Sequence, residues 1–201
     1  IRFRRGKVIV DDKALIKLNK ELGLIGTDAI VDGGISFSID LEKDPKNPIG
    51  YKAKPHTPLI DLSKTNFYKI DDFWDPIEVK AGRLILDPGA FYILMSKETV
   101  TIPPGYAAEM APYLAMVGEF RVHYAGFFDP GFGFSSVGGS GSRGVLEIRC
   151  HEAPFALRNS QIIGRLIYER MTEVPKMLYG SDLKSNYQGQ KLKLSKHFKS
   201  T

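Results

Sequence analysis

Residues 83–110 read RLILDPGAFYILMSKETVTIPPGYAAEM, three short apolar runs separated by Asp87-Pro88-Gly89 and Pro103-Pro104-Gly105. Proline presets φ for a turn and glycine supplies a positive φ after it, so both breaks are turns. Short runs at this spacing predict an antiparallel sandwich or barrel. Further strands are expected at 120–125, 145–150, 155–158 and 162–169. Upstream, GISFSIDLE places Ile35, Phe37, Ile39 and Leu41 in strict alternation, the pattern of a half-buried strand. One helix is expected in KALIKLNKEL, where Leu15, Ile16, Leu18, Leu22 and Leu24 roughly follow a helical stripe. Asp11-Asp12 suit its N-cap and the positive end of its dipole, and Gly23 and Gly26 are natural stops. Residues 1–10 alternate like the end of a strand. The Pro- and Lys-rich residues 43–58 read as an exposed connection, and residues 66–79 as irregular strand and turn. The polar, basic residues 179–201 lack periodicity and read as a tail outside the core.

Composition bounds the class of molecule. The chain has 201 residues, 43% hydrophobic and 25% charged, which is ordinary globular usage. Twelve Phe, nine Tyr and one Trp supply a core. A net charge of +5 is too modest to argue for nucleic acid and suits an anionic ligand equally well. The single cysteine, Cys150, excludes an intramolecular disulfide and a Cys-rich zinc site, and favours a reducing compartment. No apolar run approaches the ~20 residues of a membrane span, and the start carries no signal-peptide pattern. A cytoplasmic protein acting on neither membrane nor nucleic acid is expected.

The chemistry is expected between His123 and Glu147. HYAGFFDPGFG, residues 123–133, runs a strand into Asp-Pro-Gly, leaving backbone near Ala125 and Gly126 free of bulk for a flat ligand. A plain β-turn has the same signature. The tract SSVGGSGSRG, residues 135–144, reads as a flexible hairpin loop or a phosphate-contacting loop, without the Gly-Lys-Ser/Thr ending of a P-loop. Alternation puts Val145, Glu147 and Arg149 on one face of the next strand and Leu146, Ile148 and Cys150 on the other. A carboxylate in such an apolar run is costly unless paired or used, or unless that face simply meets solvent. The four histidines, His56, His123, His151 and His197, have no metal-ligand spacing. The His-x-Glu and Pro-Cys-x-x-Cys elements of zinc-dependent base deaminases are missing, so no catalytic zinc is expected. In the closing residues, Tyr179, Tyr187 and Gln190 offer aromatic and amide groups among lysines.

AGFFDPGFG followed by VLEIR, the late strand QIIGRLIYER and the closing NYQGQ together resemble the dCTP deaminase branch of the dUTPase-like superfamily. The resemblance spans about residues 84–198. It implies a mainly β subunit, a distorted β-barrel or jelly roll with one or two short helices. It also implies assembly as a homo-trimer, sites between subunits, and Mg²⁺ carried on the substrate triphosphate. By the same matching Glu147 is the catalytic glutamate, Tyr124, Ala125 and Asp129 line the base and deoxyribose site, and Tyr179, Tyr187 and Gln190 belong to a nucleotide-covering tail. Expected ligands are dCTP and dUTP, with dTTP as an inhibitor.

The family's Arg-Ser-Ser-x-x-Arg element is replaced here by Ala111-Pro112-Tyr113-Leu114-Ala115-Met116, its strand glutamine by Arg165 and its tail lysine by Asn186. IRFRRG resembles the end of a preceding domain's last strand, as in double-length dCTP deaminases. The expected organisation is therefore residues 1–10 as the end of another domain or a linking strand, 11–178 as the β domain and 179–201 as the tail. On that reading an N-terminal half supplies the serine and arginines to a composite site. The leading activity is dCTP deamination. The alternatives are dUTP diphosphatase action, alone or combined with it, and a catalytically silent domain that binds nucleotide or builds the oligomer.

Overall fold

The computed structural model describes residues 6–26, 29–42, 47–79, 81–112, 120–123, 127–181 and 192–199. In chain order the regular elements are α1 (Asp12–Leu22), β1 (Ile35–Ser38), β2 (Tyr51–Ala53), β3 (Trp74–Pro76), β4 (Arg83–Leu86), β5 (Phe91–Val100), β6 (Tyr106–Pro112), β7 (Phe120–His123), β8 (Phe127–Phe128), β9 (Ser142–Cys150), β10 (Phe155–Arg158) and β11 (Ile162–Arg170). Short 3₁₀ turns cover Ile70–Asp72 and Ser135–Val137. The mainly β expectation holds.

Among the described residues the strands form three antiparallel sheets that do not close into a barrel. One has the order β1-β11-β6-β8, another β3-β2-β5-β9-β7, and β10 pairs with β4. Phe37 of the first large sheet packs over Gly144 of the second, where an added Cβ would meet the ring at 3.2 Å. A shared core fills the space between: Phe37, Tyr92, Leu94, Met110, Leu146, Ile148, Leu157 and Leu166 are all buried. The turns at 87–89 and 103–105 fall between β4, β5 and β6 as their Pro-Gly chemistry dictates. The helix is capped as expected. The Asp11 carboxylate accepts from the Ala14 N–H at 3.0 Å, and Gly23 ends the helix in the left-handed region. In the segment before it, the Val8 carbonyl accepts from Arg170 N–H and Val10 N–H donates to Tyr168 O, so this stretch runs along β11.

Four expectations need correction. The strand at 35–38 is buried on both faces, not one: Ser36 and Ser38 are as enclosed as Ile35 and Phe37. Ser38 is tolerated there because its N–H and hydroxyl both donate to the Glu98 carboxylate, at 2.8 and 2.6 Å. The stretch read as an exposed connection contains β2, whose Tyr51 is buried. The Gly/Ser tract is a packed turn rather than a flexible loop. Within it, an added Cβ on Gly139 would fall 2.4 Å from the Gly133 carbonyl carbon, and one on Gly141, at φ +85, would fall 2.7 Å from Thr99 Cβ. Finally, the closing residues reach a core. Leu194 and Phe198 are buried with Tyr51, Phe73 and Ile93 in a second apolar cluster.

Candidate functional site

Glu147 stands at the centre of β9, opposite Ile93 on β5 and His123 on β7. The alternation along β9 is the one expected: Leu146, Ile148 and Cys150 are buried in the core, while Val145 and Glu147 are half-buried on the other face. That face is one wall of a cleft of about 650 Å³. Phe91 and Ile93 of β5 extend the wall, and Lys54, Phe73 and Trp74 close one side. The opposite side is the turn after β8, with Phe127, Phe128, Asp129 and Phe132. Tyr179 and the closing segment, through Lys193, Leu194, Ser195 and Phe198, complete the lining.

The cleft is mostly apolar, and ring contacts and hydrogen bonds tie its walls together. Phe128 and Phe132 meet edge to face at 5.2 Å between ring centres, and Tyr179 lies 5.6 Å from Phe132. The Asp-Pro-Gly turn is held by Gly131 N–H to Ile102 O at 2.9 Å and Phe132 N–H to Asp129 O at 3.1 Å. Residues 178–179 lie directly against it: Tyr179 N–H donates to Pro130 O at 2.8 Å. An added Cβ on Gly131, at φ +99, would meet Tyr179 O at 2.8 Å and Leu178 Cβ at 2.9 Å. The turn's glycine therefore serves close approach as well as conformation. On the far side, Trp74 contacts Phe91 at 6.0 Å and Phe198 at 6.1 Å. In this setting Glu147 forms no hydrogen bond or ion pair with another described residue. A half-buried carboxylate with no partner among the described residues, facing an aromatic-walled cleft, is placed to act on a bound ligand.

Of the residues singled out in the sequence, Glu147, Asp129 and Tyr179 meet in this one cleft. Tyr124, Ala125, Tyr187 and Gln190 lie outside the described residues. The sequence reading missed Trp74, Phe91 and Phe198. Phe91 was findable, because it opens the strand that pairs with β9. Trp74 and Phe198 reach the cleft only through long-range packing. Among the described residues no three His, Cys, Asp or Glu side chains are grouped to hold a metal ion, and no helix is long and apolar enough to cross a membrane.

Comparison with known proteins identifies the family. Residues 11–198 match the family model of the 2'-deoxycytidine 5'-triphosphate deaminase C-terminal domain. The chain belongs to this family. The dCTP deaminase domain also has a solved relative, the crystal structure of 2'-deoxycytidine 5'-triphosphate deaminase from Agrobacterium tumefaciens, which is 48% identical with a TM-score of 0.78. The match covers 89% of this chain and 52% of that one, so the dCTP deaminase domain described here spans about half the length of that relative. None of the curated proteins matches.

Proposed function

We propose that this domain provides the general base and one wall of a site that deaminates dCTP hydrolytically to dUTP and ammonia. Glu147 would take a proton from a water as its oxygen bonds to C4 of cytosine. The carboxylic acid so formed protonates N3, giving a tetrahedral adduct. The carboxylate then takes the proton of the adduct's C4 hydroxyl and passes it to the amino group, so that the C4–N bond breaks, ammonia leaves, C4 becomes a carbonyl and Glu147 is again a carboxylate. The sum is dCTP plus water to dUTP plus ammonia, general acid–base chemistry on one residue. The observation that carries the reading is the Glu147 carboxylate on the cleft wall, without a partner among the described residues, in a member of the dCTP deaminase C-terminal domain family.

Asp129 and Tyr179, at the opposite side of the cleft, fit contacts to the sugar and base, and Tyr124, Ala125, Tyr187 and Gln190 extend that set by family matching. Mg²⁺ in this reading travels on the substrate triphosphate, and a trimeric assembly with shared sites is the oligomer it implies. A silent, nucleotide-holding role is the second reading, favoured by one observation: the positions of the family's serine and arginine are Ala111-Pro112-Tyr113-Leu114-Ala115-Met116. The test is to incubate the full-length protein with dCTP and Mg²⁺ and to follow ammonia and pyrophosphate separately, beside Glu147→Gln. Ammonia release that falls at least ~100-fold in the variant is expected, the usual scale for a general base. Undiminished release would remove Glu147 from the chemistry. Absence of ammonia from the wild type would leave the silent role, and pyrophosphate alone would leave the diphosphatase.

A further inference from the structure

A second pocket, of about 510 Å³, shares no lining residue with the cleft. It lies between residues 25–30, β1, the later part of β5 and the turn before β11, and Ile25, Ile30, Phe37 and Ile162 give it an apolar lining. Ser36 also lines it, is only 7% exposed, and has a hydroxyl with no hydrogen-bond partner among the described residues. Buried hydroxyls are nearly always paired. Lys97 and Glu98 both line the same pocket, whereas neighbours in a regular strand point to opposite faces. The register of β5 against β9 slips between Met95 and Thr99, and such a bulge re-aims side chains. The Glu98 carboxylate is only half used among the described residues. Its two oxygens accept one hydrogen bond each, from the Ser38 N–H and the Ser38 hydroxyl, and each keeps a second acceptor position.

We propose that this pocket is a second ligand site, for a small uncharged molecule with an amide-type edge on an apolar body. Lys97 and Glu98 carry opposite charges, and the Lys97 ammonium already donates to Ser160 Oγ at 2.7 Å and lies 3.6 Å from the Glu42 carboxylate. The pocket therefore favours neither sign of charge. What stays open is an acceptor at Glu98 and a hydroxyl at Ser36 that can donate or accept. Those two groups complement an N–H and a C=O held side by side. The four apolar side chains receive the rest of the molecule, as in small-molecule sites where a few polar groups fix orientation. An orphaned hydroxyl costs stability in the empty protein, and a ligand that pairs it recovers that cost on binding. The site is separate from the proposed deamination and does not depend on it.

Ligand-observed NMR titrations of the full-length protein with benzamide test the site, with N,N-dimethylbenzamide, which lacks the N–H, as the control. Wild type is expected to bind benzamide about tenfold or more tightly than the dimethyl compound, because a hydrogen bond to a charged acceptor is at stake. Ser36→Ala should weaken benzamide about two- to tenfold, the worth of one neutral hydrogen bond. It should melt no lower than wild type, because the hydroxyl it removes is unpaired. Ile30 is 57% exposed, so Ile30→Trp should fold normally, fill the pocket and abolish binding. Saturating dCTP should leave benzamide bound. A wild type that does not bind benzamide, or equal affinity in wild type and Ile30→Trp, would overturn the proposal. Displacement by dCTP would also overturn it, by placing benzamide in the cleft. So would a Ser36→Ala variant that melts lower with its benzamide affinity intact, which would make the hydroxyl a structural group.

Discussion

Replacing Phe198 by alanine should release the closing segment from the cleft before it unfolds the protein. Phe198 is 7% exposed and its ring lies 5.5 Å from Phe73, 6.1 Å from Trp74 and 6.4 Å from Tyr68. Truncating a phenylalanine buried to this degree costs about 3–5 kcal/mol. The backbone contacts of the segment are few: Asn66 N–H to Lys196 O at 2.9 Å, Phe67 and Tyr68 N–H to His197 O at 3.0 and 3.1 Å, and Lys199 N–H to Tyr68 O at 2.9 Å. At about 1 kcal/mol net each, these bonds do not offset the ~1–2 kcal/mol per residue needed to order residues 192–199. The buried anchors Leu194 and Phe198 therefore hold the segment, and losing one tips the balance toward local opening. A loss of about 3 kcal/mol raises the open population roughly a hundredfold.

Native-state hydrogen exchange should show this as faster exchange at the amides of Asn66, Phe67, Tyr68 and Lys199, with those of β9 and β11 unchanged. Unaltered exchange at those four amides would refute the anchoring role. Equal acceleration across β9 would show that Phe198 supports the whole fold instead.

Two further outcomes test other parts of the structure. Gly133→Ala places a methyl group 2.2 Å from Val100 O in a left-handed backbone, and should cost about 3 kcal/mol, lowering the melting temperature by about 6–12 °C; a drop under ~2 °C would mean that the packed turn yields easily. The Asp87 carboxyl is held below its ordinary value of 3.8, chiefly by the hydrogen bond from Lys52 at 2.6 Å. A depressed carboxylate stabilises the fold above its unfolded pKa, and that contribution is lost as pH falls through the lower folded value. The pair is exposed and screened by water, so Lys52→Met should cost no more than about 1 kcal/mol at pH 7. Urea titrations should show that difference shrinking as pH falls below about 4, and a difference that grew in acid would contradict the assignment.

Sequence pattern reveals local rules better than distant packing. The strands at β4, β5, β6, β10 and β11 were legible because Pro-Gly turns bound short apolar runs, and the helix because Asp11 and Gly23 mark its ends. Glu147 was legible as a carboxylate placed by alternation on the face opposite Leu146 and Ile148. What failed were readings in which composition stood in for contact. Polar Ser36 and Ser38 looked like a solvent face, yet Glu98, sixty residues from Ser38, answers the latter's hydrogen bonds. Glycines 139 and 141 looked flexible, yet each sits where neighbouring atoms leave no room for a side chain. Leu194 and Phe198 are single apolar residues among lysines, and no period identifies a segment held by two anchors.

The same distinction bears on how much of an active site this chain contains. Glu147, Phe91 and Trp74 sit on β9, β5 and β3 of one sheet, which fixes their spacing, while Phe128, Phe132 and Phe198 reach the cleft from outside that sheet. The family's serine and arginines would come from the end of β6, where Ala111 pairs with Arg165 and Pro112 with Gly164, and no hydroxyl or guanidinium is available at those two positions. A general base needs an attacking water, and the developing charge needs donors in place before the reaction. On the proposed reading Glu147, on the cleft wall, activates that water. On that reading, donors aimed at the reacting pyrimidine have to come from positions other than these two.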